Sequence, residues 1–414
     1  MHLVDPQRSP TSGLGRGARW ALLCGASSAL AAGALALPRP LAQDPVVPRV
    51  HGARPLVEAP SPRRANAPAL ESARAALEGA RSYLIATQEE SGRWTAGAEP
   101  LVLESGEFNA IGVTGLAVLA LLEQPARERE ARSELAIDKG LRWLASQQDA
   151  ESGLFGNQDS FLFMPSHAVA LRAFLRGNGE RERVPEWRDT AERGLHFLHR
   201  SRNPYGAWRY SNPPIGDNDS VITSLYLLAL AEAQDLGLEH VAGQGLHEPA
   251  LRGGLSFLEE VYEPSTGRTG YLERGSLTSR LAGMQEDFPP DRSELASAIS
   301  TWARLELGQD PFEEESLRKG AWLVAELPPN WSRSAGDIDY YYWWTGTEAL
   351  AHFGGIAWER WRAHLFEAVS ERGIDDGPAG LYWPPVDAWS AAHTEVHATA
   401  LVALTLSAAI ESER

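Results

Sequence analysis

Acidic and imidazole side chains lie at the start of several apolar segments of the chain. They are His167, Asp217 and Asp219, Asp339, and the group His393, Glu395 and His397. Carboxyl and imidazole groups are the side chains that most often donate or accept protons in catalysis. An aspartate at such a position can also cap a helix, because its carboxylate accepts hydrogen bonds from the first free backbone N–H groups. Residue type and position therefore leave two functions open, proton transfer and helix capping.

Two kinds of helix are predicted to position these residues. In the first kind, apolar residues recur at i, i+4 and i+7, as in Ile137, Leu141 and Leu144. In the second kind, such as residues 113–122 and 396–406, nearly every residue is apolar. The first pattern is typical of an outer helix with one face on a core, and the second of an inner helix buried on all sides.

The two kinds of helix alternate six times between residues 71 and 408. Glycine anchors recur in the outer helices at Gly140, Gly194, Gly254 and Gly320. Helical hairpins repeated in this way cannot bury their apolar faces alone and must stack on one another. We therefore predict an all-α fold, a single (α/α)6 toroid of six hairpins over residues 71–414. An open α-solenoid is the alternative, but it would leave a concave polar face, which the apolar inner helices do not provide.

Chain direction alternates in such a toroid, so every connection from an outer to an inner helix lies at one end. All six inner-helix N-termini then surround one mouth, and each carries roughly half a unit of positive charge. The side chains at these N-termini should lie close together in space. We expect this of His167, Asp219, Asp339, His393 and His397.

The hairpin loops carry a recurring glutamine, glycine and aromatic residue. The clearest copies are Gln88, Gly92 and Trp94, and then Gln148, Gly153 and Phe155. Their spacing resembles the QW motif of squalene-hopene and oxidosqualene cyclases, which also occurs in the wider prenyltransferase and squalene oxidase repeat superfamily. Together with residues 341–347, the chain resembles the exported bacterial single-barrel branch over about 335 of its 414 residues. The resemblance implies the same toroid fold.

The segment Asp217-Asn218-Asp219-Ser220 resembles the DxDD segment of the hopene-cyclase class. In that family the middle aspartate protonates a terminal alkene or an epoxide, which requires a carboxylic acid that stays neutral. The resemblance implies that Asp219 is the proton donor and that Asp217 is its neighbour. Two departures stand out: Ser220 replaces the last acid, and this chain has one barrel where the family's cyclases have two.

Aromatic side chains follow Asp339 in an unbroken run. Such rings stabilise cations through their faces, and core packing explains them equally well. Asp339 and His397 join Asp217 and Asp219 as candidate catalytic residues. The candidate ligand-binding residues are His167, Tyr341, Tyr342, Trp343, Trp344, His393 and Glu395.

His393 and His397 are four residues apart on one predicted helix face, a spacing that suits a metal ion. Glu395 lies about 200° round the helix from His393 and cannot complete a site there. The zinc pattern of the similar prenyltransferase β subunits also needs a cysteine, and Cys24, the only one, lies in the N-terminal apolar run. We predict no metal site and no cofactor.

The N-terminal 70 residues are predicted to lie outside the toroid. Arg8, Arg16 and Arg19 precede an apolar run at residues 20–37 that small residues follow, which is typical of a secretory signal peptide. We predict a signal peptide over 1–42 and a proline-rich disordered tether over 43–70. The protein would be exported to the periplasm or the exterior. An uncleaved N-terminal segment would instead anchor it near a membrane.

A net charge of −17, with no basic stripe along the chain, argues against nucleic-acid binding. Three functions are left open: a terpenoid cyclase or isomerase that holds an apolar isoprenoid, a non-catalytic exported binding or scaffold protein, and a glycan-active enzyme with paired carboxylates. A deep apolar pocket with one acid favours the first, and an open cleft with carboxyl groups about 5–10 Å apart favours the third. The oligomeric state is not specified by the sequence.

Overall fold

A computed structural model describes residues 67–95, 110–180, 185–204, 206–238, 247–281, 283–389 and 394–413. The predicted signal peptide, the predicted tether up to residue 66 and His393 lie outside these ranges. The predicted tether was expected to continue to residue 70, but residues 67–70 form the first turn of a helix. Pro68 is compatible with that turn, because the first helical N–H groups have no partner within the helix.

Twelve α-helices account for most of the described residues. They are α1 Ala67–Thr87, α2 Ala110–Leu122, α3 Ala131–Ser146, α4 Phe163–Glu180, α5 Pro185–Arg200, α6 Ser220–Asp235, α7 His247–Glu260, α8 Leu295–Glu306, α9 Glu315–Glu326, α10 Tyr340–Phe353, α11 Gly355–Val369 and α12 Glu395–Glu411. Three 3-10 turns and two short antiparallel hairpins lie in the connections: Ala126–Glu128, Pro290–Arg292 and Gly377–Ala379, then β1 Tyr262–Glu263 with β2 Arg268–Thr269, and β3 Ile374–Asp375 with β4 Leu381–Tyr382. None of the described helices combines the length and apolar character needed to cross a bilayer.

The even-numbered helices form a closed inner ring. Each packs against the next, from α2 through α4, α6, α8 and α10 to α12, and α12 packs back against α2. The odd-numbered helices lie outside, where α3, α5, α7, α9 and α11 each pack on the inner helix before them and α1 packs on α12. All residues of α2 are buried, as its continuous apolar sequence predicts. The predicted all-α toroid is confirmed, and the open solenoid is excluded.

A recurring tryptophan fastens the end of an outer helix to the start of an inner helix. Its indole Nε1–H donates to a carbonyl near the end of the outer helix, in the pairs Trp94–Leu84 at 2.6 Å, Trp208–Leu198 at 2.9 Å and Trp383–Val369 at 3.0 Å. Its backbone N–H donates to a threonine hydroxyl in the following inner helix, Thr114, Thr223 and Thr399 respectively. These bonds satisfy buried polar groups and fix where each inner helix begins.

Glycines in the same loops allow neighbouring hairpins to approach closely. A Cβ atom on Gly153 would lie 2.1 Å from the Arg193 carbonyl oxygen of the next outer helix. A Cβ atom on Gly380, in the last hairpin, would lie 2.4 Å from the carbonyl oxygen of Gly79 in α1. The last hairpin therefore meets the first through the same contact that joins successive hairpins, which is how the ring closes.

We expect Gly153→Ala to lower the free energy of unfolding by about 3 kcal/mol or more. The left-handed backbone at Gly153, with φ of 80°, costs about 1–2 kcal/mol for an L residue, and displacing Arg193 adds about 1–3 kcal/mol. Gly216→Ala is the matched control, because Gly216 has φ of 99° but a Cβ atom there would meet nothing within 4 Å beyond its chain neighbours. Urea unfolding of both variants measures the difference. Equal losses would mean that the close approach contributes nothing.

Candidate functional site

The loops that precede α6, α8, α10 and α12 bring polar and aromatic side chains together at one end of the barrel. Asp219 and Asp339 cap α6 and α10, and the neighbouring loops contribute Tyr271, Arg280 and Trp389. This is the end at which all inner helices begin, as the alternation of chain direction requires. We call this end the mouth.

Asp219 is fully buried at the start of α6. Its Oδ1 accepts the backbone N–H groups of Val221 at 2.9 Å and Ile222 at 3.0 Å, so the residue does cap the helix. Its Oδ2 is also buried and accepts no hydrogen bond of regular geometry from the residues that the structure describes. Burial raises the pKa of the Asp219 carboxyl to about 6, although the nearby Tyr271 hydroxyl and the two backbone N–H groups act in the opposite direction. A buried carboxyl with a raised pKa is suited to donate a proton.

Two tyrosines lie beside Asp219. Burial is the main cause that raises the pKa of Tyr271 far above its usual value, and the Tyr210 phenol and the Asp219 carboxyl add to it. The backbone carbonyl of Tyr271 accepts the N–H of Ser220 at 3.0 Å, which holds this loop against the start of α6. The Tyr210 ring stacks on the exposed ring of Phe161, with the two ring centroids 4.8 Å apart. The tyrosines therefore stay protonated and form a polar contact between Asp219 and the outer rim.

Asp339 differs from Asp219 in having both carboxylate oxygens occupied. Oδ1 accepts the backbone N–H of Tyr342 and the indole N–H of Trp389, each at 2.9 Å. Oδ2 accepts from Arg280 Nη1 at 2.6 Å, and both charged side chains are fully buried. Arg280 also donates to the Phe288 carbonyl oxygen at 3.2 Å. Asp339 is thus the anion of a buried ion pair and has no free oxygen with which to donate a proton.

Tyr341 is close enough to both aspartates for each to affect its phenol. Burial raises the pKa of its phenol well above the usual value, Arg172 opposes the change, and Asp219 and Asp339 add to it. Its ring centroid is 5.8 Å from that of Trp344 and 6.3 Å from that of Trp389. Because Tyr341 is only partly buried, it is the member of the predicted aromatic run that remains accessible at the mouth.

The next three residues of that run lie in the core. The Tyr342 hydroxyl donates to the carbonyl oxygens of Val324 and Leu327 at the end of α9, at 3.1 and 2.9 Å. Trp343 packs against Tyr340 and Trp331, and Trp344 packs against Trp302. All three predicted ligand-binding residues are at most 1% exposed. The structure gives them packing roles, because α10 is an inner helix with several buried faces.

His167 also has a structural role in place of the predicted ligand-binding role. Its Nδ1 accepts the Phe155 backbone N–H at 3.2 Å, so Nε2 carries the proton and donates to the Gly194 carbonyl oxygen at 3.1 Å. Burial lowers the pKa of the ring to about 3, which keeps it neutral. His167 thus accepts the backbone N–H of the aromatic loop residue Phe155. Thr114 and Thr223 accept the corresponding N–H groups of Trp94 and Trp208 in their hairpins.

The other predicted residues are spread around the mouth. Asp217 is exposed and pairs with Arg209 at 2.9 Å, in contrast to the buried Asp219. Glu395 lies near Tyr83 of α1. Burial raises the pKa of Tyr83 to about 12, and the Glu395 carboxylate adds to that rise. His397 is buried in the first turn of α12, and His393 lies outside the described residues. Asp219, Asp339, His167 and His397 all lie at or near the starts of inner helices, and the close approach of their side chains stays a prediction.

Sequence reasoning missed Tyr210, Tyr271 and Arg280. They lie in irregular loops, where no period identifies which way a side chain faces. The spacing of Tyr210 two residues after the repeat tryptophan, Trp208, is the one signal that pointed towards the mouth.

A cavity of about 220 Å³ lies at the starts of α2 and α4, at the same end of the barrel. Its apolar lining comes from Ile111, Trp143, Phe155 and Phe163, and its polar lining from Arg93, Asn157 and Ser166. Apolar walls with a few polar groups are usual for a small-molecule site.

Comparison with known proteins supports the fold and leaves the chemistry open. No protein-family model and no curated protein sequence matches the chain. Among solved structures, a type II terpene cyclase from Scytonema is similar with a TM-score of 0.56 and 14% identity, over 84% of this chain and 99% of that one. Its complex with geranylgeranyl dihydroxybenzoate as substrate is similar with a TM-score of 0.55 and 12% identity, over 84% of this chain and 99% of that one. An α-1,6-mannanase from Salegentibacter in complex with α-1,6-mannotriose is similar with a TM-score of 0.56 and 10% identity, over 83% of this chain and 99% of that one. At these identities the likeness shows an α/α toroid fold alone.

Proposed function

We propose that this protein is a proton-transfer enzyme that cyclises or isomerises an isoprenoid-type alkene, with Asp219 as the acid. The observation that carries the proposal is the contrast between the two buried aspartates that cap α6 and α10 at the mouth. Asp339 is held by the charged Arg280 and by two N–H donors, whereas Asp219 is bonded to neutral groups, two backbone N–H groups and the Tyr271 hydroxyl, and has a pKa raised to about 6. With the signal peptide predicted at residues 1–42, we propose that the activity is exported.

The reaction begins when the neutral Asp219 carboxyl gives its proton to one carbon of an alkene. A carbon–hydrogen bond forms, the π bond breaks, and the neighbouring carbon becomes cationic. A second alkene of the substrate then adds to that carbon, or a C–H bond next to it releases a proton to solvent. Either course ends with the loss of one proton, so the product is an isomer of the substrate. The aspartate regains its proton from solvent.

The surroundings of Asp219 fit a cationic intermediate. Tyr341 and Trp389 present aromatic rings at the mouth, and ring faces stabilise cations. Tyr271 and Tyr210 keep their protons, because burial raises the pKa of each phenol. Both therefore stay neutral phenols, and neither is a phenolate that could capture the cationic intermediate. The solved cyclase with a bound geranylgeranyl substrate has the same fold, which makes a linear isoprenoid the first substrate class to test.

A glycan-cleaving reaction is less well supported. Glycosidases of the usual kind need a second carboxylate facing the first, one as acid and the other as base or nucleophile. In the described part of the mouth, Asp339 is held by Arg280 and Trp389, and Asp217 is exposed and paired with Arg209. Neither carboxylate is available to act opposite Asp219.

We expect the purified protein to convert a geranylgeranyl-bearing phenol into an isomer of equal mass. In D2O the product should gain one deuterium, because the proton on Asp219 exchanges with solvent and is transferred to carbon. Turnover should fall about tenfold for each pH unit above 6, since only the neutral carboxyl can donate a proton. Mass spectrometry of the product and a pH–rate profile measure both effects.

The matched variants are Asp219→Asn, which should remove turnover, and Asp310→Asn, which should retain it. Asp310 is an exposed aspartate whose Oδ1 accepts the Phe312 N–H at 2.7 Å. Unchanged turnover in Asp219→Asn, or a product without deuterium, would contradict the assignment of the acid. Binding of the substrate without any conversion by the parent protein would favour the non-catalytic binding function.

A further inference from the structure

The cavity of about 220 Å³ at the starts of α2 and α4 takes no part in the proposed proton transfer. Its lining comes from the first two hairpins: the loop before α2, the start of α2, the end of α3, and the loop and first turn that lead into α4. We call it the hairpin cavity. Neither Asp219 nor Asp339 belongs to its lining, so a ligand there would occupy a site separate from the candidate acid.

The hairpin cavity has an apolar floor and a mostly polar rim. Four residues of its buried floor are at most 7% exposed, namely Ala110, Ile111, Phe155 and Phe163. Its rim consists of the lining residues that are partly or fully exposed, Arg93, Trp143, Gln147, Gly156, Asn157 and Ser160. A ligand in the cavity would therefore contact groups that water already reaches. It would exchange their hydration for direct hydrogen bonds and cover the apolar floor.

Hydrogen bonds within the rim hold its amide groups in place. Asn157 Oδ1 accepts the backbone N–H of Asp159 at 3.0 Å. The backbone carbonyl of Gln147 accepts the N–H of Gly156 at 3.0 Å, which ties the loop to the end of α3. A side-chain amide has two N–H donors and a carbonyl oxygen with two lone pairs, so both amides keep capacity for a ligand. Groups that are positioned in advance lose less entropy when a ligand binds.

The charge of the rim favours a neutral ligand. Arg93 is the one charged residue of the lining, and its Nε donates to Glu89 Oε2 at 2.7 Å. Both side chains are 35% exposed, so a charged ligand would have to compete with an existing ion pair. The other polar side chains of the rim are two amides and a hydroxyl, which both donate and accept hydrogen bonds. Hydroxyl groups of a ligand have the same dual character and match them.

We propose that the hairpin cavity binds one pyranose unit of a neutral saccharide. The polar rim groups come from three separate segments around one floor, so a ligand that bonds to all of them carries polar groups on several sides. A pyranose has this form, with hydroxyl groups spread round a ring that has apolar C–H faces. Trp143 and the floor contact a C–H face, and Gln147 and Asn157 bond to hydroxyl groups. The cavity volume equals the share of about seven water molecules, which fits one sugar ring.

Saturation-transfer NMR on the full chain tests this site with glucose, mannose and galactose, each as the free sugar and as both methyl glycosides. At least one of them should bind about tenfold or more tightly than cyclohexylmethanol, which has a ring without ring hydroxyl groups. Tighter binding of the free sugar indicates a monosaccharide ligand, and equal or tighter binding of its glycoside indicates the end of a glycan. The proposal is overturned if no sugar binds at millimolar concentration. It is also overturned if cyclohexylmethanol, adenine or methyl glucuronide binds more tightly than every neutral sugar.

Two variants locate the bound sugar. Trp143→Leu removes the aromatic surface and should weaken binding about tenfold, whereas Trp322→Leu, at an exposed tryptophan of α9 outside the lining, should bind as the parent does. Gln147→Met removes one amide and should weaken binding about fivefold, with Gln124→Met, beyond the end of α2, as its control. Undiminished affinity in a folded Trp143→Leu, or in Gln147→Met, overturns the proposal. Because Trp143 also packs against the core, the exposed Gln147 decides the outcome if Trp143→Leu does not fold.

Discussion

Asp219→Asn is expected to raise the free energy of unfolding by about 3 kcal/mol at pH 8 and to change it little at pH 4. Burial raises the pKa of this carboxyl from 3.8 to about 6, and each pKa unit corresponds to about 1.4 kcal/mol. Below pH 4 the carboxyl is neutral in both the folded and the unfolded protein, so it adds no penalty. Between pH 4 and 6 the unfolded chain ionises first, and folding must keep or regain a proton. Above pH 6 the penalty is constant.

Asparagine removes this penalty without removing the cap. Its side-chain oxygen can accept the N–H groups of Val221 and Ile222 as Asp219 does, and asparagine caps helices as well as aspartate. Urea unfolding at pH 4, 6 and 8 measures the effect. The exposed Asp310→Asn serves as control and should stay within about 0.5 kcal/mol of the parent at each pH. A loss of stability at every pH in Asp219→Asn would mean that Asp219 is an ordinary ionised cap.

Arg280→Met should lower the free energy of unfolding by about 3–5 kcal/mol. The Arg280 and Asp339 side chains are both fully buried and lie 2.6 Å apart. Removing one partner of a buried ion pair leaves the other charge without compensation. The second substitution, Asp339→Asn, should therefore recover part of the loss when it is added to Arg280→Met. A double-mutant cycle in urea measures the coupling free energy between the two residues.

The exposed pair Arg188–Glu192 provides the control for this cycle. Its side chains are 54% and 42% exposed, and surface pairs contribute about 0–1 kcal/mol. Arg188→Met should therefore change the stability by less than about 1 kcal/mol. If Arg280→Met costs as little as Arg188→Met, water reaches the pair and the mouth is more open than the structure describes.

The helical repeat could be predicted because it is periodic. An i, i+4, i+7 apolar stripe such as Ile137, Leu141 and Leu144 can bury only one face, whereas residues 113–122 can bury all faces, so outer and inner helices were distinguishable. Closure of the ring needed the structure, since it depends on Gly380 meeting Gly79 across most of the chain. The helix start at Ala67 could not be predicted from composition, because the proline-rich stretch continues through Pro68.

The sequence by itself determined that this protein is an α/α toroid with aspartates at the starts of its inner helices. Capping position could not distinguish Asp219 from Asp339, because both precede a buried helix, and it was the resemblance to the DxDD segment that pointed to Asp219. Tertiary structure decided between them. Arg280 and Trp389 donate hydrogen bonds to the Asp339 carboxylate, and they come from irregular loops 59 and 50 residues away along the chain. The sequence repeat does not show which loops contact which helix start, so only the folded arrangement places Asp339 in an ion pair with Arg280 and leaves Asp219 bonded to neutral groups.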